Sequence, residues 1–358
     1  MMSPKQASDD RIGRFSSSRH TPLQIIHIFG NFMRIWSVYS MYHYLSQSGA
    51  SVVGFIFMCL LLSSIIFLAL QTPWKGRPLS NSQVIPSVIN GGIMALYFIL
   101  WGKGLKSCGP LRALLAEYSG AVLGVLSAIL YGRRGNIWKK VGGLVAMMVS
   151  FYFLSQGWAT STHSPLSFKE GREIELAVEE KSLGISEMVV PISAGVLSAL
   201  RRVIARRVSL KTQLKRRLHA LTVAAATCFV FPLAMLDTVL GSSPDSSIQF
   251  SFPNWAFLST VLFGVIFNFY VYNIAEERLH LVFSSPRHLM VAGGCIVVME
   301  ITYKMDFSLI GFVVCSTILG FGIHQATSLE RLKKTHLQTQ EMPDEPFGNQ
   351  IQMSPLPT

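Results

Sequence analysis

Four ionisable residues stand inside stretches that are otherwise apolar: Arg34, Arg112, Glu117 and Glu300. A charge at the centre of a membrane span costs roughly 2.5 to 3.5 kcal/mol on insertion scales, so each needs a countercharge or a watery cavity. Arg112 and Glu117 share one stretch and Arg34 lies midway along the first. Glu300 precedes Lys304 by four residues, a spacing that pairs the two on one helical face. Arg112, Lys304 and Asp237 lie near the ends of their stretches, where long side chains reach the interface. Glu117 and Arg34 are deeper, and all four residues, Arg34, Arg112, Glu117 and Glu300, are candidates for a solute pathway or for helix packing.

The elements that must position these groups follow from composition. Of 358 residues, 50% are apolar and only 14% charged, with a mean hydropathy of +0.41. A soluble domain carries roughly 25% charged residues, so a water-soluble enzyme is disfavoured. A span needs about 20 predominantly apolar residues in a helix. Six stretches qualify plainly: Val52 to Leu70, Val84 to Trp101, Val141 to Trp158, Leu218 to Leu240, Trp255 to Ala275 and Phe307 to Thr327. Four are weaker: Leu23 to Leu45, Pro110 to Tyr131, Ile185 to Ile204 and Ser285 to Tyr303. The chain therefore reads as an all-α polytopic membrane protein of about ten transmembrane helices.

Loop charge tests that count. Ten helices with both termini cytosolic place 23 of the 31 Lys and Arg on the cytosolic side and six on the other, as the positive-inside rule requires. The surplus of +12 is thus a topology signal, and nucleic acid is not an expected partner. Its densest part, Arg201 to Arg217, fits an ordinary cytosolic loop or contact with anionic headgroups of the membrane lipid. Residues 1–22 read as a cytosolic tail, 23–158 as a first five-helix half, 159–184 as an acidic lumenal loop, 185–327 as a second half and 328–358 as a disordered cytosolic tail. An inverted 5+5 repeat is expected, with a weak echo between Pro110-Leu111-Arg112 and Pro286-Arg287-His288 at the entries of the fourth and ninth helices. If the echo is real, those two helices face each other near the midplane.

Motif chemistry is sparse. The five cysteines (Cys59, Cys108, Cys228, Cys295 and Cys315) make no Cys-x-x-Cys pair and read as buried free thiols. None of the nine histidines has a His or Asp four residues on, so no metal-ligand pair sits one turn apart in a span. Walker-type phosphate loops are missing, which leaves an ATP-driven pump or membrane kinase without support; the chain is not expected to be an enzyme.

Cys108-Gly109-Pro110-Leu111-Arg112, followed by Glu117-Tyr118-Ser119, resembles the N-terminal transmembrane module of the long early-secretory cation diffusion facilitators, the zinc transporter five and plant metal tolerance protein twelve type. Phe151 to Trp158, Ala275 to Leu279 and Met305 to Ser308 read similarly, and the likeness covers most of residues 20 to 327. The resemblance implies a Golgi or early-secretory membrane, zinc as the transported ion, and assembly with a shorter diffusion-facilitator subunit. The family's zinc site lies in a C-terminal domain with paired His and Asp, a pattern missing from these residues, so no metal ligand or cofactor is assigned to this chain. The ten-helix pattern also resembles the drug/metabolite transporters, which gives the alternative of a secondary carrier for a small organic anion such as a nucleotide sugar.

Overall fold

Every regular element among the described residues is a helix, and several of the helices begin or end for a local reason. The computed structural model describes residues 6–74, 79–130, 137–160, 185–208, 212–241, 254–271 and 286–340. Helices α1 (Gln6–Ser48), α2 (Val52–Gln71) and α3 (Asn81–Cys108) come first. Helix α4 is broken: Pro110–Ala116, a 3₁₀ turn at Glu117–Gly120, then Ala121–Leu130. Next are α5 (Ile137–Ser155), α6 (Ile185–Val208) and α7 (Thr212–Gly241). Helix α8 starts as Asn254–Ser259, widens into a π-helical stretch at Thr260–Phe267 and continues to residue 271. Helices α9 (Pro286–Thr302) and α10 (Leu309–Gln340) complete the described set.

Each of the ten apolar stretches carries one of these helices, and among the described residues five are long and apolar enough to cross a membrane by those two criteria: α2, α3, α6, α7 and α10. Helix α8 is a shorter apolar one. Val141 to Trp158 loses its rank because α5 is shifted toward its N-terminus. It stops at Ser155, before the positive-φ Gly157, and takes in Lys139 and Lys140 instead. Ile185 to Ile204, one of the weaker stretches, does qualify: Ser186–Ala205 meets both criteria within α6, which runs on to Val208. Residues 6–22 and 328–340, read as tails, continue α1 and α10 as helix. The five glutamates of the acidic loop and the last 18 residues lie outside the described residues.

Caps fix the corners. The Ser51 hydroxyl accepts from the Gly54 amide at 3.0 Å and starts α2, and Ser80 with Gln83 forms a capping box at the start of α3. Gly109 alone separates α3 from α4. Its φ of +82° is one that a side chain would disfavour, and Pro110 then occupies the first turn, where the absent N–H is not missed.

Packing brings α3 against α6 and α7, α2 against α7, α5 against α10, and α1 against α8 and α9. Small residues permit the close crossings, as is usual between helices that have no water to expel. On α5 the neighbours Gly142 and Gly143 differ sharply: a Cβ on Gly143 would sit 2.7 Å from the Gly322 carbonyl of α10, whereas one on Gly142 meets nothing within 4 Å. Gly143→Ala should therefore lower the thermal midpoint while Gly142→Ala leaves it unchanged or raises it slightly; equal effects would show that α5 and α10 are not this close.

Bonds at the helix ends tie loops together in two sets. Ser51 Oγ donates to the Asp237 carboxylate, Lys106 Nζ to the Ala50 carbonyl at 3.2 Å, and the Ser308 amide to the Ala159 carbonyl at 2.8 Å. At other ends, Arg217 donates to the Pro73 carbonyl and Gln71 Nε2 to the Tyr270 hydroxyl at 2.6 Å. Facing outward on α7, Phe229, Phe231, Leu233, Met235 and Leu236 are exposed. An apolar face of that kind suits lipid and not water. Cys228 is exposed among them, in contrast to the other four cysteines, which are buried as expected.

Candidate functional site

A buried ion pair joins α1 to α4. Arg34, on α1, donates from Nη1 to Glu117 Oε2 at 2.8 Å, with the two side chains 8% and 2% exposed. Glu117 reaches it because the 3₁₀ turn interrupts α4 at that residue. The turn is pressed against α6, where Ser119 Oγ donates to the Ile192 carbonyl at 2.7 Å and where a Cβ on Gly195 would collide with Ala116 O and Ser119 Oγ. The two deep residues of the sequence reading are thus one pair, and both line a cavity.

That cavity has a volume of about 170 Å³. Helix α1 contributes Arg34, Ser37 and Met41; α3 contributes Asn90, Tyr97 and Trp101; α4 contributes Glu117. On the far side, α6 supplies Arg201 and Arg202, α7 supplies Lys215, His219 and Thr222, and α8 supplies Thr260, Gly264, Asn268 and Phe269. Among the described residues of the lining, four cationic side chains therefore meet one carboxylate, and that carboxylate is already paired. Aromatic surface accompanies the charge: the Arg201 guanidinium carbon lies 5.4 Å from the Tyr97 ring centre, and His219 stacks on Phe269 with centroids 3.7 Å apart. Within the wall, Asn90 Oδ1, Trp101 Nε1 and Glu117 Oε1 are buried and have no hydrogen-bond partner among the described residues.

Glu300 and Arg112 lie elsewhere. The expected pairing of Glu300 with Lys304 does not form, because α9 ends at Thr302 and Lys304 takes a positive φ of 50°, which breaks the four-residue helical register. Glu300 is instead buried and accepts from the Tyr39 hydroxyl at 2.6 Å. Tyr303, whose hydroxyl is 3.0 Å from Ser40 Oγ, stacks beside Tyr39. Tyr39→Phe should cost about 1 to 3 kcal/mol, the usual penalty for stranding a buried acceptor, and a thermal-unfolding comparison with Ser46→Ala, an exposed serine bonded only to its own helix, checks it.

Arg112 is buried at 9% exposure, where the sequence reading had it reaching the interface. It sits one turn into α4 within electrostatic range of Tyr42, Cys108 and Glu187. The motif Cys108-Gly109-Pro110-Leu111-Arg112 forms the buried corner between α3 and α4, with Cys108 Sγ donating to the Glu187 carbonyl of α6 at 3.3 Å. The rings of Tyr118 on α4 and His288 on α9 have centres 6.0 Å apart.

The residues missed in the sequence are Arg201, Arg202 and Lys215, read there as loop charge. The signal was available: no proline or glycine separates Ile204 from Val208, so the apolar helix could run on and carry its arginines along one wall. No group of three or more metal-ligating side chains occurs among the described residues. No family model matches the chain. A solved structure titled only "Crystal structure of protein" aligns with 85% of this chain and 98% of its own at 16% identity, with a TM-score of 0.47.

Proposed function

We propose that the chain is a ten-span membrane module of an early-secretory zinc-export assembly, in which a shorter cation diffusion facilitator subunit moves the metal and this chain supplies assembly and context. The observation that carries the reading is the charge of the cavity. Four cations against one ion-paired carboxylate repel a divalent metal, so zinc that moves in the complex must move through the partner. The residues behind the family resemblance, Cys108 to Arg112, form the buried corner that joins the two helices at the cavity wall.

Ten spans with both termini cytosolic is supported by the tied loops. Ser51, Asp237, Lys106, Ala159 and Ser308 all fall on the side with few cations, while Pro73, Gln71, Arg217 and Tyr270 all fall at the cytosolic side. The inverted repeat is supported by the packing pairs when each helix is exchanged with the one five later. Helix α3 on α6 becomes α8 on α1, α4 on α6 becomes α9 on α1, and α3 on α7 becomes α8 on α2; α2 with α7 and α5 with α10 map onto themselves.

Purification of the tagged chain from cells expressing a short diffusion-facilitator subunit, followed by zinc flux in liposomes, tests the proposal. Co-purification with zinc uptake only when both chains are present supports it. Zinc uptake by this chain alone, or failure of the two to associate, overturns it.

A further inference from the structure

We propose that Glu300 is the proton-binding residue of a pH-sensitive latch, which joins the ends of α1 and α9 on the side with few cations while its carboxyl is protonated and lets them part when the proton leaves. The inference goes beyond the zinc-assembly reading and concerns this chain without a partner. Three observations carry it.

The first is how α1 and α9 lie together. His27 stands beside His288, with ring centres 5.1 Å apart, and Tyr39 stands beside Glu300; each pair is separated by the same 261 positions. The two helices therefore run parallel and in register. At 1.5 Å per residue the two contacts are roughly 18 Å apart along the seam, and Glu300 closes one end of it.

The second is the contrast between two buried carboxyls. Glu117 has the Arg34 guanidinium at 2.8 Å. Glu300, 3% exposed, has a phenol instead: the Tyr39 hydroxyl donates to it at 2.6 Å, and no cation among the described residues pairs with it. Tyr42 on α1 and Asp306 in the corner after α9 lie within electrostatic range. Arg112 of α4 acts on Tyr42, and α10 has no charged residue from Leu309 to Ile323. A carboxylate kept from water without a countercharge is costly, and taking up a proton removes the cost. Parting the helices removes it too, by returning the carboxylate to water. The proton therefore favours the joined seam, and its loss as the pH rises favours the parted one.

The third is access and leverage. His43 is exposed, and its ring centre is 6.0 Å from that of Tyr303. Tyr303 packs on Tyr39 and has its hydroxyl 3.0 Å from Ser40 Oγ, so the route from water to the carboxyl is short. The backbone of Glu300 also anchors the corner. Its carbonyl accepts from the Met305 amide at 3.0 Å while the Lys304 amide donates to the Ile301 carbonyl at 3.2 Å, the paired bonds that close a helix around a left-handed residue. The end of α9 and its corner are thereby tied to the residue that takes the proton.

Spin labels read the latch. The full chain carries Cys228→Ser to remove the exposed thiol, the other four cysteines being buried, and is labelled at Ser46→Cys and Thr302→Cys, both exposed positions. In phosphatidylcholine nanodiscs, paramagnetic resonance follows the label spacing from about pH 4.5 to about pH 9, the range between an exposed glutamate and a deeply buried one. Close spacing in acid that widens along a one-proton curve, with close spacing at every pH in Glu300→Gln, supports the latch. Spacing in the parent that ignores pH overturns it. A curve that survives Glu300→Gln overturns it as well, and its loss in His43→Gln then assigns the proton to the histidine. Infrared difference spectra of the parent need no substitution at Glu300: a carboxylic-acid C=O band must disappear with the same midpoint. A band that is absent, or that titrates apart from the spacing, overturns the latch even where Glu300→Gln fails to fold.

Discussion

Replacing Glu117 by alanine is expected to destabilise the protein by about 3 to 5 kcal/mol, the usual cost of leaving one half of a buried ion pair without its countercharge. The Arg34 guanidinium is 8% exposed and Glu117 provides its 2.8 Å bond. The protein carries its own reporter for the measurement: Cys59, Cys108, Cys295 and Cys315 are buried and Cys228 is exposed. A thiol-reactive dye therefore gives a baseline from Cys228 and a rise as the other four are uncovered on heating. Joint replacement by Arg34→Met and Glu117→Leu should recover most of the loss, because removing both charges also removes the cost of burying them. A single Glu117→Ala variant that melts with the parent would show that the pair contributes little to the fold.

Gly195→Ala is expected to be nearly as damaging, though it adds one methyl group. The new Cβ falls on the Ala116 carbonyl and the Ser119 hydroxyl, and Glu117 Cα is 3.1 Å away. Backbone cannot move aside as the tip of a long side chain can, so α6 and the 3₁₀ turn must separate. Overpacking of this kind costs about 1 to 3 kcal/mol. Separation would also strain the Ser119 bond to Ile192 and draw Glu117 away from Arg34. The dye assay should show a lowered midpoint, and Gly142→Ala, with open space around it, serves as the control. A Gly195→Ala protein that melts normally would contradict the contact between α4 and α6.

The helices were legible because an apolar run of about 20 residues has few other uses; their ends were less so. Gly157 stops α5 early through its positive φ, a property of the local corner and not of hydropathy. The tie between Arg34 and Glu117 was half legible: each residue stood out as too costly to leave alone, but 83 positions separate them and periodicity says nothing of which helices touch. Glu300 illustrates the opposite error. Its spacing from Lys304 suited a helical pair, yet the helix ended between them and Tyr39, 261 positions away, took the carboxylate. The cationic wall was hidden because Arg201 and Arg202 were counted with the loop that follows them, when helix α6 holds them in the cavity lining.

The one-residue join at Gly109 has a consequence for how the protein is made. Helix α3 is apolar enough to enter the bilayer by itself, whereas α4 carries both Arg112 and Glu117 and is a poor substrate for the insertion machinery. With no slack between them, the two are expected to enter as a hairpin, the favourable transfer of the first offsetting the reluctance of the second. Arg34, on α1, precedes Glu117 by 83 positions, so it leaves the ribosome first. The order of synthesis thus delivers the countercharge before the charge that needs it.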